Sequence, residues 1–203
     1  MIMCCRYYME DSPELRPFLE AMNRSPLAGR LFPRDALRSA GEIRPADTAP
    51  VIASDRAGSP AVFPMKWGFT GRSLLINARS ETAASRPTFR EAWQSHRCAV
   101  PASCYFEWER LPASGKRGKT GPRYRLYQKD SAVLWLCGLY RMENGIPCFV
   151  ILTREPGENI RFIHDRMPLI LPGDLVSRWV FPETKPEELL SSARTDLLFE
   201  QAG

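Results

Sequence analysis

The sequence predicts an α+β fold: a mainly antiparallel, barrel-like β-sheet with peripheral helices, forming a single domain over residues 1–203. Three observations predict it. From residue 50 onward, short runs rich in β-branched and aromatic residues follow one another, broken by Gly and Pro, which is the texture of strands. Helix-period patterns are few and lie at the margins of those runs, without the regular strand–helix alternation of a doubly wound sheet. A chain of 203 residues, 44% hydrophobic and 25% charged, is long enough for one well-buried core, and no repeat or linker divides it.

The elements follow in chain order. Ser12-Pro13 is a cap followed by proline at a first helical position, and Leu15, Phe18, Leu19 and Met22 then recur at helical spacing. Pro17 can delay the start of that helix, because a ring without an N–H fits only the first turn. Residues 51–54, 61–69 and 74–79 read as strands, and 88–96 as a short helix with Phe89 and Trp93 on one face. Strands follow at 98–100, 104–110, 124–128, 132–140 and 148–153, then two short helices near 174–180 and 186–193. Between strands, residues 111–129 carry Lys116, Arg117, Lys119, Arg123, Arg125 and Lys129 and no acid. Gly115, Gly118 and Gly121 make this stretch a flexible hairpin loop suited to phosphate contacts.

Composition narrows the function classes. The longest apolar runs, 132–137 and 148–152, are strand-length, too short for a membrane helix. The N-terminus lacks a basic region followed by an apolar stretch, so the expected location is the cytoplasm. The net charge of +5 permits a polyanionic partner. Six cysteines form no C-x-x-C pair and only two histidines exist, which argues against a zinc site. Disulfides are not expected in a cytosolic protein. Cys137 and Cys148 sit in apolar strands as small core residues, whereas Cys4 and Cys5 lie outside any apolar pattern.

Four places carry candidate chemistry: Met3-Cys4-Cys5-Arg6, Asn77-Ala78-Arg79-Ser80-Glu81-Thr82, Tyr105-Phe106-Glu107-Trp108 and Ile163-His164-Asp165-Arg166-Met167-Pro168. Glu107 alternates with Phe106 and Trp108, so it points to the opposite face from both rings. If that face lines a pocket, burial raises its pKa and suits it to proton transfer. Taken with Trp67-Gly68, the order and spacing of these motifs resemble the SOS-response-associated peptidase family, also called abasic-site processing proteins. That family carries Met-Cys-Gly-Arg, a Trp-Gly strand, Asn-Ala-Arg-x-Glu-Thr, Phe-Glu-Trp and His-Asp-Arg-x-Pro in the same order. The resemblance covers most of the chain and stops before the C-terminal helices.

The resemblance implies capture of abasic sites in single-stranded DNA as a covalent protein–DNA crosslink, with no metal or organic cofactor. It further implies a monomer, found in the cytoplasm at damaged nucleoid DNA. The aldehyde of an opened abasic sugar condenses with an amine. A lysine amine, with a pKa of about 10.4, suits neutral pH less well than an α-amine near about 8. Only an N-terminal cysteine adds a thiol that can close a thiazolidine ring on the imine carbon. By the same resemblance Asn77 orients the sugar and the cysteine, Glu107 shuttles protons at the amine, and His164 assists ring opening as acid or base. Arg6 and Arg79 grip flanking phosphates, Trp67 stacks or packs beside the DNA, and Lys116, Arg117 and Arg166 supply further positive charge. The family name adds a self-processing peptidase activity.

Two departures stand out. Cys5 occupies the place of the family's glycine, and Met1-Ile2-Met3 precedes Cys4. As numbered, Cys4 has no free α-amine, so the expectation is translation from Met3 followed by removal of that methionine, or self-cleavage of a leader. Two other readings compete. One is a cysteine peptidase or other hydrolase with Cys4 as nucleophile and His164 as base, which needs only the thiolate. The other is a non-enzymatic single-stranded DNA-binding module, for which Cys4→Ala leaves affinity unchanged.

Overall fold

The structure is a computed structural model and describes residues 5–37, 40–111 and 120–202. Its strands are β1 (Arg6–Met9), β2 (Gly41–Ile43), β3 (Thr48–Ser54), β4 (Pro60–Trp67), β5 (Asn77–Arg79), β6 (Arg97–Ala102), β7 (Cys104–Arg110), β8 (Thr120–Tyr127), β9 (Leu134–Glu143), β10 (Ile146–Arg154), β11 (Met167–Pro168), β12 (Ile170–Leu171) and β13 (Leu198–Ala202). The helices are α1 (Arg16–Arg24), α2 (Ser80–Ala83), α3 (Pro87–Ser95) and α4 (Val176–Val180). Short 3-10 turns join them. Among the described residues no helix is long and apolar enough to cross a membrane.

The fold is α+β and barrel-like, as the strand texture predicts. One sheet runs β13-β8-β7-β1-β2 with every pairing antiparallel. In the second, β10, β4, β3, β6 and β9 pair in succession, and β9 pairs back onto β10, so the circuit closes. Closure leaves those five strands without a free edge. Only β4 and β5 run parallel to their neighbour β10. These two strands share β10 end to end: Cys148 and Phe149 face Lys66 and Trp67, then Ile151 to Thr153 face Asn77 to Arg79.

The hand-over between them occurs at Gly68. Its φ of +118° lies where side chains rarely go, and a Cβ there would stand 2.7 Å from Leu74. The Gly68 amide donates to Phe149 O (2.7 Å), and the Trp67 Nε1–H donates to Ile76 O (3.0 Å), closing the excursion so that β5 re-enters on β10. Trp67 is fully buried, its ring parallel to Phe149 and 5.2 Å from Tyr7. It therefore joins β1 to the barrel wall.

Most strands appear where expected, several one to three residues longer. Pro17 does lie in the first turn of α1, which starts at Arg16 rather than after Pro13. The 74–79 stretch is strand only over Asn77–Arg79, and 186–193 forms a 3-10 helix (Pro186–Ser192). The basic hairpin loop needs a larger correction. β8 reaches back to Thr120, so Arg123 and Arg125 are strand residues. Arg123 lies 3.7 Å from the Phe106 ring centroid and pairs with Glu42, while Arg125 pairs with Glu10 and Glu200. Aromatic stacking and three carboxylates from other parts of the chain turn these cations into sheet surface.

Candidate functional site

β1 carries the N-terminal motif into the first sheet. Arg6 lies opposite Phe106 and Tyr7 opposite Tyr105. Tyr7 and Tyr105 point into the core, and Arg6 points outward. Arg6 donates to Glu42 (2.5 Å) and lies 5.7 Å from the Trp108 ring centroid. Burial alone would raise the Glu42 carboxyl, but hydrogen bonds from Arg6, Arg44 and Arg123 hold it below its ordinary value. Arg6, Arg44 and Arg123 thus gather around one acid, leaving a local excess of positive charge.

The alternation in Phe106-Glu107-Trp108 behaves as the sequence suggests. The rings face the Arg6 and Arg123 side, and Glu107 is buried on the other, where its Oε1 accepts from the Trp108 amide (3.2 Å). Cys5 is half-buried and packs against the core. Burial, then the charge of Glu107, push its thiol above the ordinary value against the pull of Arg6. Cys5 thus sits within the field of both motif residues. Cys4, Lys116 and Arg117 lie outside the described residues.

A cleft of about 290 Å³ opens at the end of β7, with Asn77, Arg79, Arg110, Thr153, His164 and Arg166 on its walls. Asn77 and Arg79 reach it because β5 pairs with the C-terminal half of β10, and Thr153 because it is β10's inward residue opposite Arg79. The His-Asp-Arg segment reaches it because the Arg110 amide, at the end of β7, donates to Ile163 O (3.0 Å). The structure thus brings Asn77, Arg79, His164 and Arg166 together. Glu107 stands three residues before Arg110 on β7, beside Cys5 rather than on the cleft lining.

His164 is 3% exposed. Burial, reinforced by the Arg110 cation, pushes its pKa down to about 4, with Asp165 opposing. It is therefore neutral at pH 7, which corrects the expectation of an ordinary titration. Its Nδ1 lies 2.9 Å from Asp165 Oδ1 and 3.1 Å from the Arg166 amide nitrogen. One ring nitrogen cannot donate to the first and accept from the second. The Arg166 amide N–H can only donate, so Nδ1 accepts it, which puts the proton of the neutral ring on Nε2 and leaves Asp165 as a nearby charge. Nε2–H is then a donor, buried and without a hydrogen-bond partner among the described residues. Asp165 also takes Arg110 at 2.7 Å, so the dyad is held from outside.

Two expected DNA contacts are corrected. Trp67 is wholly buried and has no face to offer a nucleic acid. Arg166 forms a fork onto Glu81 (2.8 and 2.7 Å) and donates to Thr153 O (2.7 Å), so its guanidinium braces α2 against β10 rather than standing free for phosphate. Burial alone would raise the Glu81 carboxyl, but this fork holds it below its ordinary value. Arg79 differs: it is exposed and has no ion-pair partner among the described residues. Sequence reasoning missed Glu42, Arg110 and Thr153. Arg110 ends the strand of the Phe-Glu-Trp motif and was findable from that position. Glu42 pairs with residues 36 and 81 positions away, and no local pattern signals such partners.

The fold and cleft define a partly closed β-barrel domain with a histidine–carboxylate pair in a cleft rimmed by arginines. A family model described as SOS response associated peptidase (SRAP) matches residues 3–199, and the chain belongs to that family. It is similar to the abasic site processing protein YoaM of Bacillus subtilis (strain 168), 31% identical over 176 residues that cover 80% of this chain and 75% of that protein. It is 37% identical over 123 residues to the abasic site processing protein YoqW of the same organism, and that match covers 58% of this chain and 53%, about half, of that protein. Among solved structures, a phage-related protein from Bordetella bronchiseptica superposes with a TM-score of 0.74 at 22% identity, over 98% of this chain and 94% of that one, which establishes likeness of fold.

Proposed function

We propose that this chain processes abasic sites in single-stranded DNA by forming a covalent thiazolidine crosslink through Cys4. The Cys4 α-amine attacks the C1′ aldehyde of the opened sugar, and loss of water leaves an imine. The Cys4 thiol then adds its sulfur to the imine carbon while the nitrogen takes the proton, closing the five-membered ring. Glu107 receives and returns protons at the amine, Asn77 orients the sugar, and neutral His164 polarises the ring oxygen through its Nε2–H as the furanose opens. Arg6 and Arg79 take the phosphates on either side.

The observation that supports this most directly is the β1–β7 register. It holds Cys5, the covalent neighbour of Cys4, within the field of the buried Glu107 carboxylate. The chemistry needs a free Cys4 amine, hence a working chain without residues 1–3, and an intact-mass measurement on protein from its native host reads that directly. The test is incubation of such a chain with an abasic single-stranded oligonucleotide, resolved on a denaturing gel. A shifted band with the mass of an adduct less one water is expected, absent with intact DNA and with Cys4→Ala. No band from a chain with an authentic N-terminal cysteine would overturn the proposal.

A second reading, peptidase activity on the chain's own leader, draws on the buried His164 ring, whose Nε2 has no hydrogen-bond partner among the described residues and is the ring atom left to exchange a proton with the Cys4 thiol. It predicts release of Met1–Met3 without DNA, lost in Cys4→Ala and in His164→Gln.

A further inference from the structure

Outside the cleft lining, Tyr124, Phe162 and Phe199 form a surface aromatic cluster. Their ring centroids lie 5.6, 5.9 and 5.2 Å apart in edge-to-face arrangements, so no ring is sandwiched flat against another. Phe162 is 48% and Phe199 39% exposed. Three rings from three separate chain segments gathered at the surface need a reason beyond core filling, because large apolar groups left in water mark interaction sites.

Their placement points to one. Tyr124 lies directly opposite Glu107 in the β7–β8 register, so both project from the same face of that strand pair. Phe199 lies opposite Leu126, two residues on from Tyr124, and so shares that face. Phe162 stands two residues before His164, on the segment that Arg110 ties to the end of β7. The Tyr124 hydroxyl donates to Glu109 (3.2 Å), which fixes its ring. The cluster therefore bridges the Glu107 face of the sheet and the segment that enters the cleft at His164, whose lining includes the cations Arg110 and Arg79.

We propose that this cluster, with Phe162 as its most exposed ring, is a stacking platform for one unpaired nucleobase next to the lesion. It rests on the single-strand reading above and adds a base-binding subsite to it. An abasic nucleotide offers nothing to stack, so its neighbour is the first base that can hold the strand on the protein. An aromatic face accepts any base, which gives register without sequence preference. A flat heteroaromatic ring on a single strand, whose phosphates suit the arginine rim, fits this mixed surface.

The test uses the chain lacking residues 1–3. Abasic oligonucleotides carry 2-aminopurine at either neighbour of the lesion, or a baseless spacer there. Quenching of 2-aminopurine at one of the two positions is expected, together with crosslinking roughly tenfold less efficient at subsaturating protein when the spacer replaces that base. Phe162→Ala should abolish both the quenching and the spacer effect, and Phe162→Trp should restore them. Phe162 is half-exposed, and thermal melting of both variants verifies the fold. Crosslinking that proceeds in wild type with no spacer effect, or with the same quenching and spacer effect in Phe162→Ala, overturns the platform and leaves the function standing. Absence of crosslinking in wild type overturns the function instead, and 2-aminopurine quenching in the Cys4→Ala variant then still reports whether the platform binds a base.

Discussion

At the scale of single residues, His164 gives the clearest case of environment overriding residue type. A histidine invites the expectation of titration near pH 6.5, but burial and Arg110 place this one at about 4. A folded-state pKa below the unfolded value means that the unfolded chain binds the extra proton between those limits. Stability is therefore fully present above about pH 6.5 and declines as pH falls toward 4, by an amount on the order of 2–3 kcal/mol. Denaturant melts at pH 7, 5.5 and 4.5 should show this decline in wild type and a smaller one in His164→Gln. The same shift bears on activity: the crosslinking rate should show no limb near pH 6.5 attributable to His164, and a limb there that disappears in His164→Gln would contradict the neutral assignment. The place of His164 among the cleft residues was legible in its motif, but its protonation state was not, because Arg110 lies 54 residues away and no window of sequence contains both.

At the scale of elements, buried polar braces set the positions of the chemical groups. Arg97, at the start of β6, is 1% exposed and faces no carboxylate within ion-pair distance among the described residues. Its guanidinium donates to the carbonyls of Trp93 and Gln94 at the end of α3 and of Trp179, Phe181, Pro182 and Thr184 at and beyond the end of α4. Those of Trp93, Gln94 and Trp179 are carbonyls that helix ends leave unpaired, and a planar fork can collect several at once. Arg97→Lys should cost roughly 2–4 kcal/mol in chemical denaturation, because an ammonium leaves most of them buried and unmet. The Arg166–Glu81 fork acts similarly on the cleft wall. Arg166→Lys should lower crosslinking several-fold while shifting stability by about 1–2 kcal/mol or less, since Lys keeps the charge but loses the fork. Strands such as β7, β9 and β10 were legible because their apolar runs match the strand period. The pairings that position the site were not: β1 and β2 are only four and three residues long, and the register of β1 depends on Phe106 and Tyr105, about 100 residues away.

At the scale of the whole molecule, charge and topology act together. The net charge of +5 comes from 28 cations against 23 acids, which suggests a broad basic surface. The structure narrows that surface. Arg6, Arg110, Arg123, Arg125 and Arg166 are each paired with a carboxylate, while Arg79 on the cleft rim is not, among the described residues. A cation already neutralised by a neighbour releases fewer counterions from DNA than one that meets a phosphate afresh. The contribution of each arginine to the salt dependence of binding should therefore follow its pairing rather than its position in the chain. For the Cys4→Ala chain, which binds without crosslinking on the proposed function, the logarithm of affinity for single-stranded DNA should fall linearly with the logarithm of salt concentration, with a slope of about −0.7 per phosphate contacted. Adding Arg79→Ala should make that slope shallower by about 0.7 to 1. Adding Arg125→Ala, whose charge is committed to Glu10 and Glu200, should leave the slope unchanged within error. Equal effects from both substitutions would mean that DNA displaces the internal pairs, and the basic face would then be as wide as the composition implies.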